Sequence, residues 1–333
     1  MFGRSTPRSL RNRVMRSLLA LFAGVVLVAL VVWDIQPAAK PRIVRRAVDV
    51  VAQSLDPSVF SPGACVALAP TKGDRRLTVF LDAGHGGIDP GAVGTTTAGA
   101  TVYEADATLP VELDTAALLR AKGFRVVVSR TADSSVVRLR RGDLSDGVLS
   151  LQGAHNDVAA RDVCANLAHA EVLVGIYFDS GAGSQNAGSL TAYDTARPFV
   201  AANERLATLL QDDVLSVLNA QGWAIPDAGV VPDSLVGSLV SGSSDGSIAS
   251  GASSYGHLLL LGPAMPGYFS TPSEMPGAVI EPLFITDPFE VSIAASARGQ
   301  QVMADGLAEA VEQYFPAASP RMTRLRDARL PEL

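Results

Sequence analysis

Short apolar runs alternate with helical patterns along most of this chain. Six runs have the length and apolar content of strands, at residues 77–81, 125–129, 171–178, 189–193, 257–261 and 278–281. Four helical patterns lie between or after them, at residues 107–122, 157–170, 199–221 and 291–314. Alternating strands and helices are typical of an α/β fold. The pattern predicts a single α/β domain over residues 76–315, with a mostly parallel, twisted sheet of about six strands covered by helices on both faces.

Two long polar segments interrupt this alternation. Residues 142–156 and residues 222–255 are rich in polar residues and glycine. Connections of this length in a compact domain are usually binding loops or disordered segments. We expect each of them to be a binding loop or a disordered segment.

The N-terminal region has the pattern of a membrane anchor. Residues 1–16 carry five arginines and no acidic residue, and residues 17–33 carry no charge. The positive-inside rule then predicts a cytoplasmic N-terminus, a single transmembrane signal anchor and a domain on the extracytoplasmic side of the cell membrane. A cleaved signal peptide, which would give a secreted protein, is the alternative. Residues 34–75 are interpreted as a linker and residues 316–333 as a flexible tail.

Composition excludes one class of partner. Charged residues make up 18% of the 333 positions, and the formal net charge is −6. Binding of nucleic acid requires a basic surface that neutralises phosphates. We therefore expect no nucleic-acid partner, whereas a largely neutral glycan is compatible with this charge.

Cys65 and Cys164 are the two cysteines of the chain. Outside the membrane they can form a disulfide. Two buried thiols are an equal alternative, because the sequence does not give the distance between them.

The glycine-rich run over residues 82–92 carries the clearest chemical signal. It reads Asp-Ala-Gly-His-Gly-Gly-Ile-Asp-Pro-Gly-Ala and directly follows an apolar strand. The glycines allow a sharp turn that places His85 at the carboxyl end of that strand, where α/β sheets hold their sites. Asp82 and Asp89 are expected to fix this loop through hydrogen bonds. The run predicts metal or proton chemistry at this edge of the sheet.

Further segments resemble those of one enzyme family. Glu104 stands just ahead of the first predicted helix, and residues 123–130 follow that helix with Gly-Phe-Arg-Val-Val-Val-Ser-Arg. Arg161 and the pair Ala165-Asn166 lie in the second helix. Residues 275–284, Met-Pro-Gly-Ala-Val-Ile-Glu-Pro-Leu-Phe, include Glu281.

With the run at 82–92, these segments resemble the zinc-dependent N-acetylmuramoyl-L-alanine amidases over residues 76–315. The resemblance implies Zn²⁺ held by His85 and Glu104, with Glu281 as the catalytic carboxylate that moves the proton of a metal-bound water. It also implies peptidoglycan or muropeptides as substrate, cleaved at the amide between N-acetylmuramic acid and L-alanine.

One position departs from the family. Residues 175–179 read Gly-Ile-Tyr-Phe-Asp, where the family has a sequence similar to Ser-Ile-His-Ala-Asn. Tyr177 stands at the position of the second histidine ligand and is predicted as the third metal ligand. Because alternate strand residues share a face, Asp179 is a second candidate for this role. The remaining histidines, His155, His169 and His257, are interpreted as surface or capping residues, and His257 as the start of a strand at the far edge.

Three functions remain open at this level. The first is an active, membrane-anchored peptidoglycan amidase with an altered metal site. The second is a catalytically degenerate relative that binds wall fragments or a partner and regulates wall turnover. The third is a hydrolase of another amide, because fold does not determine substrate.

Overall fold

The computed structural model describes residues 53–54, 56, 58–181, 187–239 and 255–315. The predicted anchor at 17–33 and the predicted tail at 316–333 lie outside the described residues, as do residues 240–254 of the predicted loop 222–255. Among the helices that are described, none is both long and apolar enough to cross a membrane.

An eight-stranded sheet forms the centre of the described chain, and two small hairpins accompany it. The sheet strands, in chain order, are β1 (Gln53–Ser54), β2 (Ala64–Leu68), β3 (Thr78–Ala83), β6 (Arg125–Arg130), β9 (Val172–Ile176), β10 (Ser189–Tyr193), β11 (Asp227–Pro232) and β12 (Gly277–Glu281). The hairpins are β4 (Val93–Thr95) with β5 (Thr101–Tyr103) and β7 (Leu144–Ser145) with β8 (Val148–Leu149).

The strand order of the sheet is β1-β2-β6-β3-β9-β12-β10-β11. β6, β3, β9 and β12 are parallel neighbours, so their carboxyl ends meet at one edge. β10 runs antiparallel to β12, and β11 runs parallel to β10. The carboxyl ends of β10 and β11 therefore lie at the opposite edge.

The helices that the structure describes cover both faces. They are α1 (Glu104–Ala121), α2 (Leu151–Leu167), α3 (Val200–Asn219), α4 (Asp233–Leu239), α5 (Pro288–Ala294) and α6 (Ala297–Tyr314), with a 3-10 helix at Arg141–Asp143. Residues of α1, α3 and α6 pack on one face of the sheet, and residues of α2 pack on the other.

Strand alternation separates the two cores. In β9, Val174 and Ile176 join the core under α1, α3 and α6, whereas Leu173 joins the core under α2. All three side chains are fully buried. The near-continuous apolar character of such strands follows from burial on both faces. The expected α/β fold with a mostly parallel sheet between two helical layers is thus confirmed.

Part of the predicted linker belongs to the sheet. β2 pairs antiparallel with β6, with Val66 opposite Val128, and Cys65 within β2 forms a disulfide with Cys164 of α2. The expected linker at 34–75 therefore has to be corrected, because the domain begins before residue 76. The run Ala64–Leu68 is short, and the pairing with β6 and the disulfide hold it in place.

Two strand assignments also need correction. Residues 257–261 form turns rather than a strand, because Leu259, Leu260 and Leu261 are buried in the cores beside α2 and not in the sheet. β11 was not predicted, because Gly229 and Pro232 weaken its strand pattern and it pairs with β10 alone.

The helix bounds shift in two places. α2 begins at Leu151, six residues before the predicted start, so His155 is helical rather than part of a loop. The predicted helix 291–314 is two helices, because Ser296 caps a new helix by accepting a hydrogen bond from the N–H of Gly299. Ser at the N-cap is a common helix start.

Candidate active site

The residues predicted for chemistry gather at the carboxyl edge of the parallel strands. His85 follows β3, Glu104 is the first residue of α1, Tyr177 follows β9 and Glu281 ends β12. This is the edge at which open α/β sheets place their ligands.

The loop after β3 is a tight turn that fixes the ring of His85. Backbone hydrogen bonds join Gly86 and Asp89 in both directions, and His85 adopts a φ of 59°. Nδ1 of His85 lies 2.8 Å from Oδ2 of Asp89. Because Asp89 is acceptor-only when ionised, Nδ1 of His85 carries a proton and donates to it, and Nε2 faces Oε2 of Glu104.

Glu104 is buried beside His85. Its Oε2 lies 3.1 Å from Nε2 of His85, and it accepts a hydrogen bond from the N–H of Ala92 at 3.0 Å. Oε1 accepts a hydrogen bond from the N–H of Phe178 at 2.9 Å. Glu104 therefore connects the glycine-rich loop to the end of β9, and its carboxylate has one fixed orientation.

Gly91 leaves the space that this pair requires. A Cβ at Gly91, which has a φ of 67°, would lie 2.6 Å from Cδ2 of His85 and 2.8 Å from Oε2 of Glu104. Only glycine combines this backbone conformation with such a close approach. The loop sequence is thus matched to the two side chains.

Neighbouring charges and hydrogen bonds shift the pKa values of His85 and Asp89. Burial alone would lower the pKa of His85, but the charge of Glu104 and the hydrogen bonds to Asp89 and Glu104 outweigh it and raise the pKa well above its usual value. Burial raises the pKa of Asp89, yet its hydrogen bond to His85 and the charge of His85 leave it lowered overall. The site therefore attracts positive charge between its carboxylates.

Two buried arginines hold the backbone of the loop. Arg161 of α2 pairs with Asp82 and donates to the carbonyl oxygens of Ala83 and His85 at 2.8 and 2.9 Å. Arg130, at the end of β6, donates to the carbonyl oxygen of Gly84 at 3.1 Å. These arginines and Asp82 position the loop, which is the role expected of Asp82.

Tyr177 does not direct its hydroxyl toward a metal. Its Oη donates to Oδ2 of Asp82 at 3.0 Å, and its ring packs edge-on against His85 with centroids 5.6 Å apart. Burial, followed by the charge of Asp82, raises the pKa of Tyr177 well above that of a free phenol. A metal-binding tyrosine must be a phenolate, which both effects disfavour. The expectation of Tyr177 as the third ligand is therefore corrected to a hydrogen-bond partner of Asp82.

Asp179 and Glu281 form a pair of carboxyl groups. Their side chains are hydrogen-bonded to each other, and the backbone N–H of Ser180 donates to Oδ1 of Asp179 at 2.6 Å. Burial, in the presence of the nearby charge of Glu104, raises the pKa of Asp179, although the hydrogen bonds from Ser180 and Glu281 oppose this shift. Two carboxyl groups in contact share a proton more readily than they both ionise.

His85 and Glu104 match part of the geometry of a zinc site. Ligands bound at about 2.0–2.1 Å to a tetrahedral zinc lie about 3.4 Å apart, and Nε2 of His85 and Oε2 of Glu104 lie 3.1 Å apart. The Asp89–His85 hydrogen bond is the carboxylate–histidine arrangement that orients zinc-binding imidazoles. Two ligands and their orientation thus fit zinc. A third donor within 4.8 Å of both is not found among the described His, Cys, Asp and Glu side chains.

A second cluster of possible metal ligands was not predicted. In the described part of the chain, Asp194, Asp233 and His257 each offer one donor atom, and these atoms lie within 4.8 Å of one another. The available signal was an aspartate placed directly after an apolar run, which occurs at Asp194 after β10 and at Asp233 after β11. His257 lies at the far edge, as expected, but its Nδ1 contacts the buried carboxylate of Asp194 instead of facing solvent.

Comparisons with known proteins identify the family of the chain. The Amidase_3 family, described as N-acetylmuramoyl-L-alanine amidase, matches residues 79–313. The chain therefore belongs to the N-acetylmuramoyl-L-alanine amidase family, a class of hydrolases that act on peptidoglycan. No curated protein sequence matches the chain.

The chain is similar to solved structures of amidases. The CwlD amidase of Clostridioides difficile, solved in complex with the GerS lipoprotein, is 20% identical with a TM-score of 0.53, covering 72% of this chain and 98% of its own. An N-acetylmuramoyl-L-alanine amidase of Clostridium difficile 630 is 24% identical with a TM-score of 0.48, covering 73% and 98%. The amidase Ami1 of Mycobacterium smegmatis is 17% identical with a TM-score of 0.48, covering 73% and 98%.

Proposed function

We propose that this protein is a zinc-dependent amidase that hydrolyses the bond between N-acetylmuramic acid and L-alanine in peptidoglycan. The observation that carries the proposal is the His85–Glu104 pair, with 3.1 Å between its donor atoms and Asp89 on the other ring nitrogen. The family of the chain and the position of Glu281 at the same edge of the sheet support it.

His85, Glu104 and Asp179 are the residues that would hold the metal. Asp179 replaces the missing histidine in this proposal, because it follows β9, as Tyr177 does, and lies within electrostatic reach of Glu104. In this proposal the carboxyl group of Asp179 exchanges its contact with Glu281 for the cation. The hydroxyl of Tyr177, bound to Asp82, is not part of this ligand set.

The metal and the protein residues have separate roles in the proposed reaction. Zinc, when bound, supplies a water of lowered pKa and polarises the carbonyl of the scissile amide. Glu281 takes the proton of the attacking water and passes it to the nitrogen of the leaving L-alanine. Glu281 ends β12 next to Asp179, which places its carboxyl group beside the proposed ligands.

The location proposed is the extracytoplasmic side of the cell membrane. The uncharged segment 17–33 behind five arginines supports an anchor. The Cys65–Cys164 disulfide supports an oxidising compartment. Peptidoglycan lies on this side of the membrane.

Removal and return of the metal test the proposal. The full chain, treated with 1,10-phenanthroline, is expected to lose its ability to clear a peptidoglycan-containing gel and to regain it with Zn²⁺. The isosteric variant Glu281→Gln is expected to bind zinc normally but to lose at least about 100-fold in rate, as for the loss of a general base. Zinc-loaded wild type that binds peptidoglycan without clearing it would instead identify a degenerate wall-binding relative.

A further inference from the structure

Two aspartates lie side by side at the edge of the sheet opposite the candidate active site. β10 and β11 are parallel neighbours whose register pairs Tyr193 with Pro232. The residues that follow are Asp194 and Asp233, and both are fully buried. Because β10 runs antiparallel to β12, this end of β10 points away from Glu281. The two carboxylates therefore belong to a separate site.

Backbone N–H groups orient both carboxylates. The N–H groups of Ala196 and Arg197 each donate to Oδ1 of Asp194 at 2.8 Å. The N–H of Leu258 donates to Oδ2 of Asp233 at 3.0 Å. One oxygen of each carboxylate is fixed in this way, and the other oxygen of each is turned toward a common point. Such outer hydrogen bonds are the usual means by which proteins aim carboxylate ligands.

His257 supplies a third donor at that point. Its Nδ1 lies 2.8 Å from Oδ2 of Asp194 and 3.4 Å from Oδ1 of Asp233. Oδ2 of Asp194 is buried and, despite this short contact, accepts no hydrogen bond of acceptable geometry. The one N–H on Nδ1 of His257 can donate a good hydrogen bond to only one of these two carboxylate oxygens. A bound cation can be coordinated by both oxygens and the nitrogen together.

A third buried carboxyl group lies in the same neighbourhood. Asp162 of α2 is also fully buried, and neither of its carboxylate oxygens has a hydrogen-bond partner. Asp162, Asp194 and Asp233 all act electrostatically on Tyr255, so they share one neighbourhood. The nearby cation, Arg197, directs its guanidinium to the carbonyl oxygens of Gly262 and Ser273. Burial of several carboxylates is costly unless a cation compensates them.

We propose that Oδ2 of Asp194, Oδ1 of Asp233 and Nδ1 of His257 bind a divalent transition-metal ion of the Zn²⁺ or Mn²⁺ class. One imidazole nitrogen with two carboxylate oxygens is a donor set that suits these ions. The His257 side chain is 20% exposed, which leaves an entry path and room for a water ligand. The ion would tie the ends of β10 and β11 to residue 257, as a structural site independent of the proposed catalytic zinc.

Metal content of the full chain tests this site. The His85→Ala variant removes the proposed catalytic zinc, so any metal that remains reports on the second site. After stripping with dipicolinate and dialysis against Zn²⁺, elemental analysis of His85→Ala is expected to give about one zinc per chain. His85→Ala/His257→Ala is expected to give none. The matched control His85→Ala/His169→Asn, which changes an exposed histidine at a φ of 48°, is expected to keep the ion.

Thermal unfolding provides the second measurement. Zn²⁺ is expected to raise the Tm of His85→Ala and of the His169 control, but not that of the His257 double variant. Folded His85→Ala that takes up no zinc overturns the proposal, as does equal zinc content in the His257 double variant. Should that double variant fail to fold, X-ray absorption of zinc-loaded His85→Ala decides. One imidazole with oxygen donors supports the site, and any other donor set overturns it.

The same series separates this site from the proposed function. A wild type with one zinc that is retained in His85→Ala would contradict the catalytic zinc and leave the second site standing. A wild type with one zinc that is lost in His85→Ala would do the reverse.

Discussion

Tyr177 stands where the resemblance to the family predicts a histidine, and this difference changes what the neighbouring residues do. The hydroxyl of Tyr177 completes the hydrogen bonding of Asp82, which also pairs with Arg161 beneath the glycine-rich loop. The residue therefore supports the loop that carries His85 instead of facing a cation. In our proposal, Asp179 is the third metal ligand.

Two substitutions distinguish these roles. Asp179→Asn is expected to weaken zinc binding at the His85 site by at least about tenfold, because it removes a charged ligand. Tyr177→Phe keeps the ring that packs on His85 and is expected to keep zinc, with a small loss of stability of about 1 kcal/mol from the unpaired Asp82 oxygen. Zinc affinity from competition with a chromogenic chelator measures both. Loss of zinc in Tyr177→Phe, with retention in Asp179→Asn, would reverse the assignment.

At the scale of secondary-structure elements, the glycine-rich loop and helix α1 fit closely against each other. The loop brings His85 to within 3.1 Å of the first residue of α1, and Gly91 gives the space for that approach.

A pair of glycine variants tests this match. Gly91→Ala is expected to reduce zinc binding and activity and to lower stability by about 1–2 kcal/mol or more, because it combines crowding of His85 and Glu104 with an unfavourable φ. Gly99→Ala is the matched control, since Gly99 has a φ of 81° and no atom within 4 Å of the added Cβ. Gly99→Ala is expected to lose stability because of its unfavourable φ and to keep unchanged zinc binding. Equal zinc affinity in the two variants would contradict the argument.

Glu112 connects α1 with two strands and makes stability depend on pH. Its Oε1 accepts hydrogen bonds from the N–H of Ala83 in β3 and from the N–H and hydroxyl of Ser129 in β6. Burial raises the pKa of Glu112 to about 8, although the charge of Arg130 opposes the shift. The folded state therefore holds a proton that the unfolded state releases at lower pH.

The sign of this effect follows from the raised pKa. The contribution of Glu112 to stability is complete below the unfolded pKa of about 4.3 and is lost as the pH rises toward 8. Between these values, the free energy of unfolding of wild type should fall relative to that of Glu112→Gln by about 1 kcal/mol per pH unit. Urea unfolding at pH 5, 6, 7 and 8 measures the difference. Parallel profiles for the two proteins would refute the raised pKa.

At the scale of the whole molecule, a disulfide joins the sheet to the helix that anchors the site. Cys65 of β2 and Cys164 of α2 are separated by 99 residues and are fully buried. A cross-link that closes a loop of this length restricts the unfolded chain strongly. It also ties α2 to the sheet, and Arg161 of α2 donates hydrogen bonds to the backbone of the glycine-rich loop.

Loss of the cross-link is expected to lower stability by about 2–5 kcal/mol. The comparison is between wild type and Cys65→Ala/Cys164→Ala in urea, each with and without dithiothreitol. Reductant should destabilise wild type and leave the double variant unchanged. A wild type that is indifferent to reductant while its thiols become accessible would show that the disulfide contributes little.

The sequence predicted the fold and the location of the site because both depend on local patterns. Apolar periodicity identified the central strands, and the glycine run with Glu104 and Glu281 identified the edge that they share. The rest depends on contacts between distant segments. The direction of the Tyr177 hydroxyl is set by Asp82, the partner of Cys65 is 99 residues away, and the role of His257 appears only when Asp194 and Asp233 lie beside it. Residues 257–261 were misread because burial beside a helix produces the same apolar run as burial in a sheet.

The central claim is that the His85 site hydrolyses the amide between the glycan and the first residue of the peptide. Mass spectrometry of peptidoglycan digested by the zinc-loaded full chain tests it most directly, with Glu281→Gln as control. We predict released stem peptides that begin with a free L-alanine amine and glycan strands that stay intact, at a rate reduced at least about 100-fold in the variant. Glycan fragments, cleavage within the peptide, or equal products from Glu281→Gln would contradict the claim.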